Sequence, residues 1–311
     1  MSEASVGYVL SYTNPDTDGV MSAFAVADLR KKAKGDQYTA MRFGALDAET
    51  RYVLEVLGMA PPTEVHLPIP NVPIALVDTH HPEQLPEGFP VEQVLFIYDH
   101  HPAGSPEAFP NASIRNEAVG AAATLIAEEY RAGMVTPEPD VASGLAAAIV
   151  SNTLNFHAPS TTSRDITAHQ WLSELPGYRD VSYREMFEAR SAIRDVATPD
   201  VLRSGTKVFQ IGSHHVAIVQ VEALGIESLI ARGDFLSALA EVQASTNSKY
   251  GFFSGVDLDT GTTILAAVDN STQNVIEKAL GVSMAGGIAR VNRILLRKTD
   301  LVPALTRLLD H

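Results

Sequence analysis

The chain has 311 residues, 45% of them hydrophobic and 19% charged, more than one hydrophobic core ordinarily serves and consistent with two globular domains. Its formal charge of -14 repels polyanions and anionic bilayers, so association with a nucleic acid polymer or a membrane surface is not expected. Cysteine is absent, which removes disulfides, thiolate metal sites and cysteine nucleophiles together and leaves carboxylates and imidazoles as metal donors.

Met1 to Gly7 carries no basic segment, and no apolar run approaches the roughly 20 residues that span a bilayer, so a cytoplasmic location is expected. Gly7 to Tyr12 reads as a first strand. The helix predicted over Val20 to Lys32 sets Val20, Phe24, Ala27 and Leu29 near one face. Tyr38 to Phe43, Ile74 to Asp78 and Val94 to Tyr98 are further short strands, with a helix over Ala48 to Leu57. Helices follow over Gly120 to Arg131, Asp140 to Leu154, Thr162 to Leu175 and Arg184 to Arg194. This alternation predicts an α/β fold with a largely parallel sheet in a first domain of residues 1–193.

The texture changes around Ala197-Thr198-Pro199-Asp200, which places a linker at 194–200 and a smaller α/β or α+β domain at 201–311. Its expected strands are Lys207 to Ile211, Val216 to Val221, Tyr250 to Leu258 and Thr262 to Val268, the last two joined by the turn Asp259-Thr260-Gly261. Helices fill Ile226 to Ala244 in pieces and Asn274 to Leu280. No internal repeat or low-complexity segment interrupts this order.

Polar clusters follow three strands of the first domain: Asn14-Pro15-Asp16-Thr17-Asp18, Asp78-Thr79-His80-His81 and Asp99-His100-His101. Ligands of parallel α/β sheets bind at the carboxyl ends of strands, so the three clusters can converge on one crevice. Asp16 and Asp18 suit one hard cation or two neighbouring ones, and the alternative is an Asx turn with Asp18 as N-cap of the next helix. The imidazoles of Asp99-His100-His101 suit manganese, cobalt or zinc, against the alternative of a solvated loop. Asp78 can bridge two cations, while His80 and His81 are either spare ligands or plain loop residues. Arg290, Arg293, Arg297 and Lys298 form a basic stretch in an acidic chain, able to grip phosphate or to serve as a solvated helix face, and Lys207 is ambiguous in the same way.

Taken together, these residues resemble the DHH phosphoesterase superfamily, and within it the manganese-dependent (family II) inorganic pyrophosphatases with a DHHA2 second domain. The resemblance is carried by NPDTD at Asn14 to Asp18, Asp78, DHH at Asp99 to His101, AAAIVSNTLNF at Ala146 to Phe156, PSTTSRD at Pro159 to Asp165, Lys207, VQVE at Val219 to Glu222, and RKTDLVP at Arg297 to Pro303. It implies a centre of one or two divalent ions, manganese foremost, with cobalt or magnesium as alternatives. Asp16 and Asp78 would serve one ion and Asp18, Asp78 and His100 the other. His101 would face the substrate, and Lys207, Arg297 and Lys298 would hold phosphate oxygens. The family also implies a homodimer, a hinge near 194–200 and pyrophosphate as the small phosphorylated substrate.

Two positions depart from the family pattern. Tyr12 stands where histidine is usual and Asn152 where aspartate is usual, so one ligand position of each ion is altered. A phenol ligates manganese poorly unless ionised, and an amide oxygen brings no charge. His80 or His81 could fill the vacated position. Leu296, Thr299 and Asp300 stand where the family favours serine, lysine and glutamine. Besides pyrophosphate hydrolysis, the departures leave open a phosphoesterase acting on a nucleotide or other phosphoester, and a catalytically silent paralogue that binds phosphate or a partner.

Overall fold

The computed structural model describes residues 6–191, 193–194 and 196–309. By internal contacts the chain falls into two compact units, Met1–Ala189 and Arg190–His311.

In the first unit, β1 (Val6–Leu10), α1 (Thr17–Lys34), β2 (Gln37–Arg42), α2 (Ala48–Leu57) and the short β3 (Thr63–Glu64) are followed by β4 (Ile74–Val77), β5 (Val94–Asp99) and β6 (Ser113–Asn116). Four helices complete it: α3 (Ala122–Ala132), α4 (Pro139–Asn152), α5 (Ser163–Ser173) and α6 (Tyr183–Arg190). The six strands form a fully parallel sheet in the order β3-β2-β1-β4-β5-β6. Ile74-Ala75-Leu76-Val77 is buried along its whole length, as a central parallel strand covered on both faces must be. Burying one such aliphatic side chain contributes about 1.5–3 kcal/mol, so these apolar runs anchor the strand ends that carry the polar clusters.

Helix α1 starts at Asp16, whose carboxylate accepts from the Gly19 N–H at 3.1 Å, and it stops at Gly35, which takes the left-handed φ of 77°. The N-cap is therefore Asp16, not Asp18, which lies inside the first turn. That shift leaves the Asp18 carboxylate free for other partners.

The second unit contains α7 (Thr198–Gly205), β7 (Thr206–Ile211), β8 (His214–Ala223), α8 (Ile226–Ile230), α9 (Phe235–Ser245), β9 (Tyr250–Asp257), β10 (Thr262–Ala266), α10 (Asn270–Leu280), β11 (Ile288–Val291) and α11 (Val302–Leu309). Helix α7 begins at Thr198, within the stretch read from sequence as linker. The strands make a mixed sheet in the order β11-β10-β9-β8-β7, in which β8 and β9 run parallel and the other neighbours antiparallel. An apolar cluster containing Leu202, Val219, Leu239 and Phe253 packs on one side, and another containing Ile218, Phe252, Leu265 and Leu305 on the other. No helix among the described residues is long and apolar enough to cross a membrane.

Candidate metal centre

β1 and β4 are neighbours from which the chain proceeds in opposite directions, β2 and β3 to one side and β5 and β6 to the other. A crevice at the carboxyl ends of strands opens at such a reversal. Asp16 and Asp18 follow β1, Asp78 follows β4, and Asp99 closes β5.

Asp78 leaves its strand with a left-handed φ of 58°, and its N–H donates to the Tyr98 carbonyl at 2.8 Å. A non-glycine residue seldom adopts that conformation, and here it turns a buried carboxylate out of the strand line. Its Oδ1 lies 3.2 Å from His100 Nε2 yet among the described residues has no partner in hydrogen-bond geometry. His100 Nδ1 pairs with the Val119 carbonyl at 3.0 Å, which fixes the ring with Nε2 toward the carboxylates. Asp18 Oδ2 is 4.0 Å from the same nitrogen.

The Asp18 carboxylate is fully buried at the start of α3, where Oδ2 accepts from the Ala122 N–H at 2.7 Å and Oδ1 from the Ala123 N–H at 2.9 Å. A helix N-terminus is a favourable place for negative charge. Burial nevertheless pushes the Asp18 carboxyl well above the ordinary carboxylate range, with Asp78 adding to the rise and His100 opposing it. Burial likewise pushes Asp78 up to about 6 against the pull of His100. Burial acts to lower His100, but Asp78 and Asp18 outweigh it and raise the imidazole to about 10.

Asp99 is the hub of the neighbouring loops. Its Oδ1 accepts from the His100 N–H at 2.7 Å, the His101 N–H at 3.3 Å and His101 Nδ1 at 2.7 Å, and its Oδ2 pairs with His80 Nδ1. Burial would raise its carboxyl, but the His101 and His80 contacts hold it at about 2. The hydrogen bond to Asp99 in turn raises the His101 imidazole.

Asp78, Asp99, His100 and His101 offer ligand atoms within 4.8 Å of one another. The buried, unpartnered Oδ1 of Asp78 and the oriented Nε2 of His100 fit a divalent cation of the manganese kind, which takes oxygen and imidazole donors together. Asp16 remains engaged as the cap of α1. Tyr12 sits beside it, its hydroxyl accepting from the Asp16 N–H at 3.2 Å, and burial with the nearby Asp16 and Asp78 charges raises the phenol, which stays protonated.

Asn152 turns its amide nitrogen inward. Nδ2 contacts Asp18 Oδ2 at 3.2 Å, His100 Nε2 at 3.2 Å and the Gly120 carbonyl at 3.0 Å. The Gly120 carbonyl can only accept, which identifies the inward atom as the nitrogen. An amide N–H beside Nε2 favours an unprotonated ring nitrogen while the carboxylates favour a proton, so two opposed demands meet on His100. His80 is held by Asp99 and His81 by Glu83 at 2.9 Å, and neither ring belongs to the four-residue group.

Lys207, Arg297 and Lys298 lie in the second unit. Lys207 is exposed on β7 opposite Ile218, and Lys298 is exposed. Arg297 is half-buried in the π turn Arg297–Leu301, its Nη1 donating to the Gly205 carbonyl at 2.7 Å and the Ile218 carbonyl at 3.2 Å.

Several supporting residues escaped the sequence reading. Val119, Gly120, Ala122 and Ala123 act through backbone groups that leave no mark in side-chain chemistry. Asp165 is wholly buried and accepts from the Gly120 N–H, Thr124 Oγ1, and the Thr162 N–H and hydroxyl, tying the start of α5 to the loop that faces Asn152. Its place in the Pro159 to Asp165 segment was the available signal.

The "DHH family, N-terminal domain" model matches residues 8–149 and the "DHHA2 domain" model residues 184–308. The manganese-dependent inorganic pyrophosphatase of Bacillus subtilis is 30% identical over 301 residues, which cover 96% of this chain and 97% of that protein. The crystal structure of a Methanococcus jannaschii protein described as a "putative family II inorganic pyrophosphatase" superposes with a TM-score of 0.62 at 25% identity over 98% of this chain and 100% of that one. An exopolyphosphatase-related protein of Bacteroides fragilis shares the fold at 12% identity, with a TM-score of 0.53 over 99% of this chain and 95% of that one. The chain belongs to the family of manganese-dependent, family II inorganic pyrophosphatases, built from a DHH and a DHHA2 domain.

Proposed function

We propose that the protein is a metal-dependent hydrolase of phosphoanhydrides with inorganic pyrophosphate as substrate. The observation that carries this reading is the unpartnered, buried Asp78 Oδ1 beside an oriented His100 Nε2, in a chain whose relatives are manganese-dependent inorganic pyrophosphatases. Asp78, His100, Asp18 and Asp16 would hold the divalent ions. When bound, these supply Lewis acidity to the phosphoryl group and activate water for in-line attack. His101, half-exposed at the edge of the cluster with Nδ1 committed to Asp99, keeps Nε2 for the substrate. Lys207, Arg297 and Lys298 are proposed as contacts to phosphate oxygens.

The centre we propose is altered from the family pattern. A neutral Tyr12 phenol replaces an imidazole, and Asn152 offers Asp18 and His100 an N–H where a carboxylate would offer a cation an oxygen. Each ion then loses a ligand that histidine and aspartate at these positions would supply. The same contacts favour, as second reading, a centre that works with one tightly bound ion on a phosphoester. Phosphate release from pyrophosphate, nucleoside triphosphates and phosphate monoesters, measured side by side with manganese, separates the two. Pyrophosphate turned over fastest supports the first reading, and an organic phosphate that outpaces it overturns it.

A further inference from the structure

We propose that His80 is a positioning residue for His101, acting through the Asp99 carboxylate. The inference rests on the reading of His101 as the substrate-facing imidazole. His80 is 4% exposed and Asp99 wholly buried, so neither obtains a partner from bulk water. Asp99 Oδ1 is surrounded by the His100 N–H, the His101 N–H and His101 Nδ1. Among the described residues, Oδ2 has a hydrogen bond to His80 Nδ1 alone.

The tautomer of His80 follows from its other side. Asn116 Nδ2 donates to the His101 carbonyl at 3.0 Å and stands 3.4 Å from His80 Nε2, so it offers one proton to each. Nε2 is then the acceptor, and Nδ1 carries the proton given to Asp99. The ring has little freedom to turn away. A Cβ built on Gly104 would stand 1.8 Å from His80 Nε2, and the Ser105 N–H donates to the His80 carbonyl at 3.1 Å.

The chain Asn116–His80–Asp99–His101 thus ends in an imidazole whose Nδ1 is committed, leaving Nε2 as the uncommitted nitrogen. Without the His80 proton, Oδ2 would be a buried anionic oxygen with no donor, and the carboxylate would gain by rotating off His101. His80 is in this account neither a spare metal ligand nor a loop residue.

The test compares wild type, His80→Asn and His80→Leu as manganese-loaded full-length protein. Asparagine sets its amide nitrogen close to where imidazole Nδ1 stands, whereas leucine fills the space without a donor. We expect His80→Leu to lower kcat for pyrophosphate about ten- to hundredfold, with KM and manganese content within about twofold of wild type. His80→Asn should keep kcat within roughly threefold. In metal-free protein, nitrogen NMR of His101 should show the Nδ1–H tautomer in wild type and His80→Asn and its loss in His80→Leu. Loss of manganese from His80→Leu, an equal loss of kcat in both variants, or an unmoved kcat in His80→Leu would each overturn the proposal. A wild type without turnover on any phosphate ends the hydrolase reading instead. The NMR comparison alone then decides the positioning, the same His101 tautomer in all three proteins refuting it.

Discussion

His100 faces Asp78 with Nε2 3.2 Å from Oδ1, while its opposite nitrogen is anchored on the Val119 carbonyl at 3.0 Å. Replacing either residue should therefore remove metal before it unfolds the protein. We expect Asp78→Asn and His100→Ala to weaken manganese binding at least tenfold and to lower hydrolysis about a hundredfold or more. Equilibrium dialysis and phosphate release measure the two effects. Normal manganese affinity in both variants would remove this pair from the centre.

Asn152 provides a test that separates charge from fold. In metal-free protein, Asn152→Asp would set a carboxylate against the Gly120 carbonyl and beside buried Asp18, losing the N–H that now contacts both. It should destabilise the metal-free protein by about 1–3 kcal/mol. Manganese should reverse the loss and bind more tightly than to wild type, since the ion gains a charged oxygen. Thermal melts with and without manganese show both signs. A variant as stable as wild type without metal would contradict the donor role of the amide.

Asp165 accepts hydrogen bonds from three residues while wholly buried. Asp165→Asn puts an amide N–H where donors already converge. About 1–3 kcal/mol of stability should be lost, the cost of leaving a buried polar group unsatisfied. Urea unfolding gives the number, and a midpoint unchanged from wild type would rule the network out.

Acid stability should depend on the ion-pair cluster of Arg115 and Arg164 with Glu117 and Glu128. The Arg115 guanidinium foremost holds Glu117 below its ordinary value, and the Arg164 guanidinium foremost does so for Glu128. Groups whose folded pKa is lowered contribute stability above the unfolded value near 4.5, and that contribution fades as pH falls through the lower folded values. The cluster is partly solvated, so the contribution is modest. Arg164→Met should lower the melting temperature at pH 7 and leave it close to wild type near pH 2, as thermal melts across that range would show. An equal loss at both ends would assign the effect to packing.

Where a structural signal is local, it was legible in the residues. Helix α2 spans Ala48–Leu57 as its periodicity predicts, and the runs ending at Asp78 and Asp99 are strands. Three strands escaped, Thr63–Glu64, Ser113–Asn116 and Ile288–Val291, and the first two have little apolar pattern to display. Thr63–Glu64 is two exposed residues, and Ser113–Asn116 is an edge strand rich in polar residues. At the site, residue types pointed to the clusters but not to who holds whom. The cap read at Asp18 falls instead on Asp16, and the shift goes with α3, whose N–H groups engage Asp18 from more than a hundred residues away. The link from His80 through Asp99 to His101 joins two loops that only the pairing of β4 with β5 brings together.

The most direct measurement is phosphate release from pyrophosphate by protein stripped with a chelator and then titrated with manganese, alongside metal analysis. Release should be negligible without metal and should recover in step with occupancy. No release at saturating manganese, or release unaffected by stripping, would contradict the proposed metal-dependent hydrolysis.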